Sequence, residues 1–344
     1  MQTNRIKLLD ALKRCSIGLS SKEMLEQSNQ FIFAKGQIVT FNDEIMVSTE
    51  SPIDFNGAVP ADDLLKMLGR FPDDTLEVIN KSNEIIFKGK KRRAGITAVA
   101  EIQLPYTTVP SPDKWMKLGP DVFPLLLQAS MTCGKDETQF LTTCVHITSD
   151  LIEACDNQRL LRATLKTGFT EELLIPASSL DAMRSLKPTR FSIGKGWLHF
   201  RLKDGTIISM RCSHEKYHEN ISEALKIKNG KKMQLPSNLK EIIERAEAMT
   251  ELGYDARVTI TLSEDGLMEI RARKENGWYE ERKKTKYDGP ALSFEVHPRF
   301  LAEVVSYTNK VELNAKRMKL ITDKFQFVVS LQIKAEGESE DAEE

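Results

Sequence analysis

The stretch Val59-Pro60-Ala61-Asp62-Asp63-Leu64-Leu65-Lys66-Met67-Leu68 decides the reading, because its pattern returns twice. It recurs as Ile175-Pro176-Ala177-Ser178-Ser179-Leu180-Asp181-Ala182-Met183-Arg184 and as Val296-His297-Pro298-Arg299-Phe300-Leu301-Ala302-Glu303-Val304-Val305. Pro60, Pro176 and His297 stand 116 and 121 residues apart, a period that points to tandem repetition of a whole domain. In each copy an extended residue leads into proline, which suits a first helical turn where a missing amide donor is harmless. Apolar residues then recur three to four apart: Leu64, Leu65 and Leu68; Leu180 and Met183; Phe300, Leu301, Val304 and Val305. A short helix with one buried face is expected three times.

Downstream of each helix the sequence alternates as a strand does, in Leu76-Glu77-Val78-Ile79, Phe191-Ser192-Ile193 and Val311-Glu312-Leu313. A turn and a second strand follow: Glu84-Ile85-Ile86-Phe87, Trp197-Leu198-His199-Phe200 and Lys319-Leu320-Ile321. Upstream lies another amphipathic helix in each unit, over Ile6 to Ser16, Phe123 to Thr132 and Leu239 to Met249. The fold class is therefore α+β, built as three tandem repeats of two helices plus antiparallel sheets. The Pro-rich run LPYTTVPSP and the Gly- and Lys-rich run KIKNGKK serve as boundaries. They divide the chain into residues 1–112, 113–230 and 231–334, with an acidic tail, 335–344, expected to be disordered.

The 344 residues are 40% hydrophobic and 29% charged, a composition that folds into buried cores rather than staying disordered. No apolar run reaches the length of a membrane span and the start, MQTNRIKLLD, has no signal-like region, so a cytoplasmic protein is expected. Five cysteines, none in a C-x-x-C pair, read as reduced thiols. The net charge of −1 conceals an asymmetry: Glu336 to Glu344 hold six acids, and the rest carries 49 basic against 44 acidic residues. A mildly basic body suits a polyanionic partner, although an ordinary solvated surface gives the same balance.

Catalytic signatures are missing. There is no Walker loop, no Gly-x-Gly-x-x-Gly and no Gly-x-Ser-x-Gly. His214 and His218 stand four apart, as two metal ligands on one helical face would, with Glu215 and Glu219 nearby; no third ligand has convincing spacing. His146 and His199 lie in strand-like runs and read as structural, and Glu280-Glu281, among Arg282, Lys283 and Lys284, reads as a charged surface. No catalytic residue, metal or cofactor is assigned.

The repeat, its Pro-led helices, the V-P-A opening at Val59-Pro60-Ala61, the segment PSPDKW ending at Trp115, and Ala154-Cys155-Asp156-Asn157-Gln158-Arg159-Leu160 together resemble the bacterial DNA polymerase III beta subunit, the sliding clamp. Within the last segment Asp156, Arg159 and Leu160 match the family's T-D-G-H-R-L-like pattern. The resemblance covers nearly the whole chain and implies a non-catalytic ring of two subunits and six domains. Helices line its hole, it encircles duplex DNA, and it tethers the replicative polymerase as a processivity factor. A clamp-like decoy that binds replication proteins without encircling DNA is a second reading, and an interdomain metal-dependent enzyme using the His214 region a third.

A sliding surface must attract phosphates without gripping bases, which scattered cations on short helices achieve. The candidates are Lys13, Arg14, Lys22, Lys66, Arg70, Lys135, Arg184, Lys240 and Arg245, and for each a merely solvated charge reads equally well. By resemblance Lys22 replaces a DNA-contacting arginine, and Phe140 and Leu141 replace a pair of tyrosines that touch DNA. The basic pairs that follow the family's proline are here Asp62-Asp63 and Ala177-Ser178. The resemblance also implies a pocket for short linear peptides of the polymerase and clamp loader, mapped to Thr142, Cys155, Asn157, Arg159, Leu160, His297, Phe300, Val328 and Ser330. The homodimer interface maps to Lys91, Arg93 and Ile96 on one edge strand. Opposite them the resemblance places Glu275 and Glu280, with Met249 on the adjacent helix.

Overall fold

A computed structural model describes residues 1–81, 83–218 and 221–333, without the side chains of Tyr254, Val304 and Ile321. Glu219 and the acidic tail lie outside the described residues. The chain divides into two compact units, one of residues 1–130, 147–149 and 167–215, the other of 131–146, 150–166 and the remainder from 216.

The first unit holds four helices, α1 (Arg5–Cys15), α2 (Ala61–Arg70), α3 (Val122–Ser130) and α4 (Ala177–Ala182); α1 packs on α2 and α3 on α4. Asn4 caps α1, its side-chain oxygen accepting from the Lys7 amide at 3.0 Å, and Lys13 and Arg14 occupy the last turn, where cations suit the helix dipole. Leu8, Leu12, Leu64 and Leu68 are fully buried, each removing roughly 1.5–3 kcal/mol worth of apolar surface from water. The prolines sit one step earlier than the sequence suggests. Pro60 and Pro176 are the N-caps of α2 and α4 and the last residues of the strands Gly57–Pro60 and Leu173–Pro176, so the fixed φ of proline makes the turn from strand to helix.

An eight-stranded antiparallel sheet runs in the order Gly57–Pro60, Gln30–Ala34, Gln37–Phe41, Ile45–Glu50, Ile207–Arg211, Trp197–Arg201, Arg190–Gly194, Met116–Lys117. Its middle seam, Ile207↔Ser48 to Met210↔Ile45, joins the first repeat to the second by backbone hydrogen bonds. A four-stranded sheet, Gln2–Asn4, Thr75–Lys81, Glu84–Lys88 and Arg93–Thr97, completes the unit. The Pro-rich run does not hang free: Leu104 and Val109 are buried with Ile32, Val39, Phe41 and Trp197.

In the second unit the short α5 (Ile221–Ala224) precedes α6 (Leu239–Glu247) and α7 (Pro298–Val305), and the last two pack together. Its strands run Cys144–Ile147, Leu151–Cys155, Arg159–Thr164, Gln326–Ser330, Arg317–Ile321, Lys310–Leu313, Lys231–Gln234. The pairing of Arg159–Thr164 with Gln326–Ser330 joins the second repeat to the third, and Lys231, at the end of the expected KIKNGKK boundary, already begins a strand. A five-stranded sheet has the order Gly277–Lys284, Leu267–Lys274, Val258–Leu262, Leu292–Val296, Gln332–Ile333. The described residues contain no helix long and apolar enough to cross a membrane.

Candidate functional site

The tight connection between Leu151–Cys155 and Arg159–Thr164 is built by Asp156. One carboxylate oxygen accepts from the amides of Gln158 (2.7 Å) and Arg159 (2.6 Å), and the other from Arg159 Nε at 3.0 Å. Two of the residues that carry the family-like segment thus fasten each other before any partner is involved. The Arg159 guanidinium lies over the Phe300 ring at 3.8 Å, and His297 stacks on Phe300 with centroids 4.2 Å apart. The His297 Nε2–H donates to the Gly253 carbonyl at 3.1 Å, while its Nδ1 is buried without a partner. Burial lowers the imidazole pKa, and Arg257, Arg159 and Arg299 act in the same direction.

Leu160 pairs with Val328 in the ladder, both side chains buried, and exposed Ser330 donates its amide to the Gln158 carbonyl at 2.8 Å. Cys155 is held by a residue that sequence reasoning passed over: the Tyr217 hydroxyl accepts from the Cys155 amide at 3.1 Å and lies 3.3 Å from its sulfur. Burial raises the pKa of this thiol, so Cys155 is a pocket wall and not a nucleophile. Tyr217 stacks on His146 at 4.8 Å, His146 meets Glu153 at 2.7 Å, and Glu153 binds Arg162 at 2.6 Å, a buried chain of paired polar groups. Tyr217 is the one aromatic residue in SHEKYHEN, and that was the available signal.

A cavity of about 400 Å³ opens in the same unit, lined by Gly134, Lys135, Asp136, Gln139, Thr142, Asp156 and Asn157. It takes in two of the nine expected pocket residues, Thr142 and Asn157, plus Lys135 from the DNA set. Cys155, Arg159, Leu160, His297, Phe300 and Val328 lie outside the lining, none more than 9% exposed. Gly134 closes the rim, donating its amide to the Thr142 carbonyl at 2.8 Å; a Cβ there would meet the Thr142 hydroxyl at 2.8 Å. Asp136 spends its carboxylate on the amide and hydroxyl of Thr138, which lowers its pKa. The cavity therefore offers an ammonium, amides and a hydroxyl, groups that hold an extended peptide by hydrogen bonds.

The cations expected at DNA separate into two classes. Arg14 pairs with Asp204 (3.0 Å), Lys66 with Asp62 (3.8 Å), Arg184 with Asp181 (2.6 Å) and Lys240 with Glu244 (4.0 Å). Arg245 is claimed by Glu281 (2.6 Å) and Tyr279 (3.0 Å), which raises its pKa. Lys13, Lys22, Arg70 and Lys135 have no side-chain partner among the described residues. Lys22 and Lys135 sit on loops and Arg184 in the turn after α4, not on helices. Phe140, 41% exposed, and half-buried Leu141 lie in the 3-10 stretch Glu137–Thr143. Asp62 and Asp63 fill the first turn of α2, at the positive end of its dipole.

Of the interface candidates, Lys91 and Arg93 are exposed, whereas Ile96 is only 9% exposed and faces Ile85 inside its own sheet. Glu275 is exposed and Glu280 is held by Arg271 (3.0 Å) and Arg282 (3.1 Å). Met249 lies past the Ala248 C-cap of α6, not on the helix, with its sulfur beside Gly277. The segment 214–218 forms no helix, so the spacing that suggested His214 and His218 as a metal pair loses its geometry; no metal-ligating cluster occurs among the described residues.

The chain superposes end to end on solved bacterial clamps. With the DNA polymerase III beta chain of Streptococcus pneumoniae TIGR4 the TM-score is 0.83 at 17% identity, over 97% of this chain and 99% of that one. The sliding-clamp fold is therefore shown. The clamp of Bacillus subtilis gives 0.82 at 14% identity, over 97% and 98% of the two chains. That of Pseudomonas aeruginosa, solved bound to griselimycin, gives 0.77 at 13%, over 97% and 99%. No family model matches the sequence, and no curated protein matches it either. The clamp fold thus persists here on a sequence that has moved far from the solved examples.

Proposed function

We propose that this chain is a DNA sliding clamp. Two copies close a six-domain ring around duplex DNA and tether the replicative polymerase, with no catalysis or cofactor of their own, in the cytoplasm. The observation that supports this most is the end-to-end superposition on the Streptococcus pneumoniae beta chain, at a TM-score of 0.83 over 99% of that chain. On this reading residues 1–112, 113–230 and 231–334 are the three clamp domains. Lys13, Lys22, Arg70 and Lys135, the candidate cations without an acidic partner, supply the attraction to phosphate, because a cation already paired releases few counterions.

The cavity beside Asp156 and Asn157 is the dock for short linear peptides of the polymerase and clamp loader. Its lining of amides, hydroxyl and ammonium favours partners anchored by polar groups over purely apolar ones. Light scattering combined with small-angle X-ray scattering tests the ring: a two-chain particle with a central hole supports it. A compact monomer that stays bound to no circular DNA after loading overturns it. Competition by peptides from known clamp partners tests the dock, and uniform tight binding regardless of sequence would remove the idea of altered preference.

A further inference from the structure

The five-stranded sheet of the second unit ends on Gly277–Lys284, which pairs on one side only, with Leu267–Lys274. The register runs unbroken from Leu267↔Lys284 to Lys274↔Gly277, with no bulge and no proline in the strand. A regular free edge of this length is a template for another strand unless something blunts it. Its charges do not, because they are spent on neighbours: Glu280 on Arg271 and Arg282, and Arg282 on Glu269 at 2.6 Å. Trp278, opposite Arg273 in the ladder, is 70% exposed. Next to it the Met249 sulfur lies 3.4 Å from where a Cβ of Gly277 would stand, and Lys274 Nζ ties the hairpin to the Ala248 carbonyl at 2.7 Å. The indole thus projects from a braced edge rather than from a loose loop.

We infer that Trp278 is the apolar anchor of an interface along this edge, and that the occupant is a second copy of this chain. The inference rests on the two-subunit reading and names the residue that holds the subunits together. A second copy fits because the chain supplies the complement itself. Arg93–Thr97 closes the four-stranded sheet of the first unit and pairs only with Glu84–Lys88. Around it Lys90, Lys91 and Arg93 have no acidic partner among the described residues, and Glu275, two residues before Gly277, has no basic one. The unspent charges on the two free edges are therefore of opposite sign, and a buried indole at the join is the kind of side chain that dominates interface energies.

Analytical ultracentrifugation of the full chain, of Trp278→Ala and of Trp278→Phe tests this. Trp278→Ala is expected to raise the dimer Kd roughly tenfold or more, and Trp278→Phe by less. Melting temperature should hold at high concentration, since the indole packs on little within one chain. Dilution of the unmodified protein should shift indole emission to the red, and Trp278→Phe should abolish that shift while Trp115 and Trp197 remain. A dimer whose Kd and emission are indifferent to Trp278 overturns the inference and leaves the two-subunit reading standing. A chain monomeric at every concentration overturns that reading, and this inference with it.

Discussion

Tyr217 serves the amide and the sulfur of Cys155 with one hydroxyl, across 62 residues of sequence. Removing the oxygen in Tyr217→Phe leaves a buried amide unsatisfied, so about 1–3 kcal/mol of stability should be lost, read as a lower urea midpoint. An unchanged midpoint would mean water replaces the hydroxyl. The neighbouring turn was legible because Asp156 and Arg159 act on each other within three residues. Tyr217 was not, since nothing local marks a tyrosine whose partners arrive by tertiary folding.

His199 makes a pH prediction of the same kind. It is fully buried, Nδ1 lies 2.8 Å from the Ser209 hydroxyl, and burial pushes its pKa down from 6.5 to about 4, with Asp113 opposing. Between those values the unfolded chain takes up a proton that the folded chain refuses. The stability given by the neutral ring is therefore complete above pH 6.5 and drains away as pH falls toward 4, at no more than about 1.4 kcal/mol per pH unit. His297, also lowered by burial, adds in the same direction. Thermal melts from pH 7 to 4.5 should show the decline, and His199→Gln should flatten it; an equal slope in the variant would reject the assignment.

At the scale of elements, the helices were readable because one buried face repeats every three to four residues, as in Leu64 and Leu68 of α2. The boundary runs were misleading for a physical reason. Leu104 and Val109 sit in a Pro-rich stretch that reads as linker, yet they cover the outer face of a sheet whose strands come from elsewhere in the chain. Asp62 and Asp63 show an element trading attraction to DNA for its own dipole. Replacing both with lysine should cost α2 about 0.3–1 kcal/mol per site. On the clamp reading it should also steepen the salt dependence of DNA binding by roughly one logarithmic unit for each phosphate gained. A titration from low to high salt measures this, and an unchanged slope would show that this end of α2 faces away from the duplex.

For the whole molecule, repetition was visible in the sequence but its stitching was not. Sequence periodicity shows where units recur; it cannot show that Ile45–Glu50 takes its outer partner from Ile207–Arg211, with Thr49 and Thr206 sharing a hydrogen bond at 3.0 Å. Separating residues 1–112 would strip that seam and expose the edge beside Ile45 and Val47, which are buried in the full chain. The fragment is expected to aggregate or to lack dispersed amide resonances, and a well-folded monomeric fragment would contradict the account.

The same seam sets a timetable for synthesis. Thr49 and Thr206 are 157 residues apart, so at ribosomal rates of about 5–20 residues per second the first strand waits on the order of 8–30 s for its neighbour to be made. Throughout that interval the nascent chain carries an open apolar edge, and shielding it falls to whatever meets the polypeptide at the ribosome.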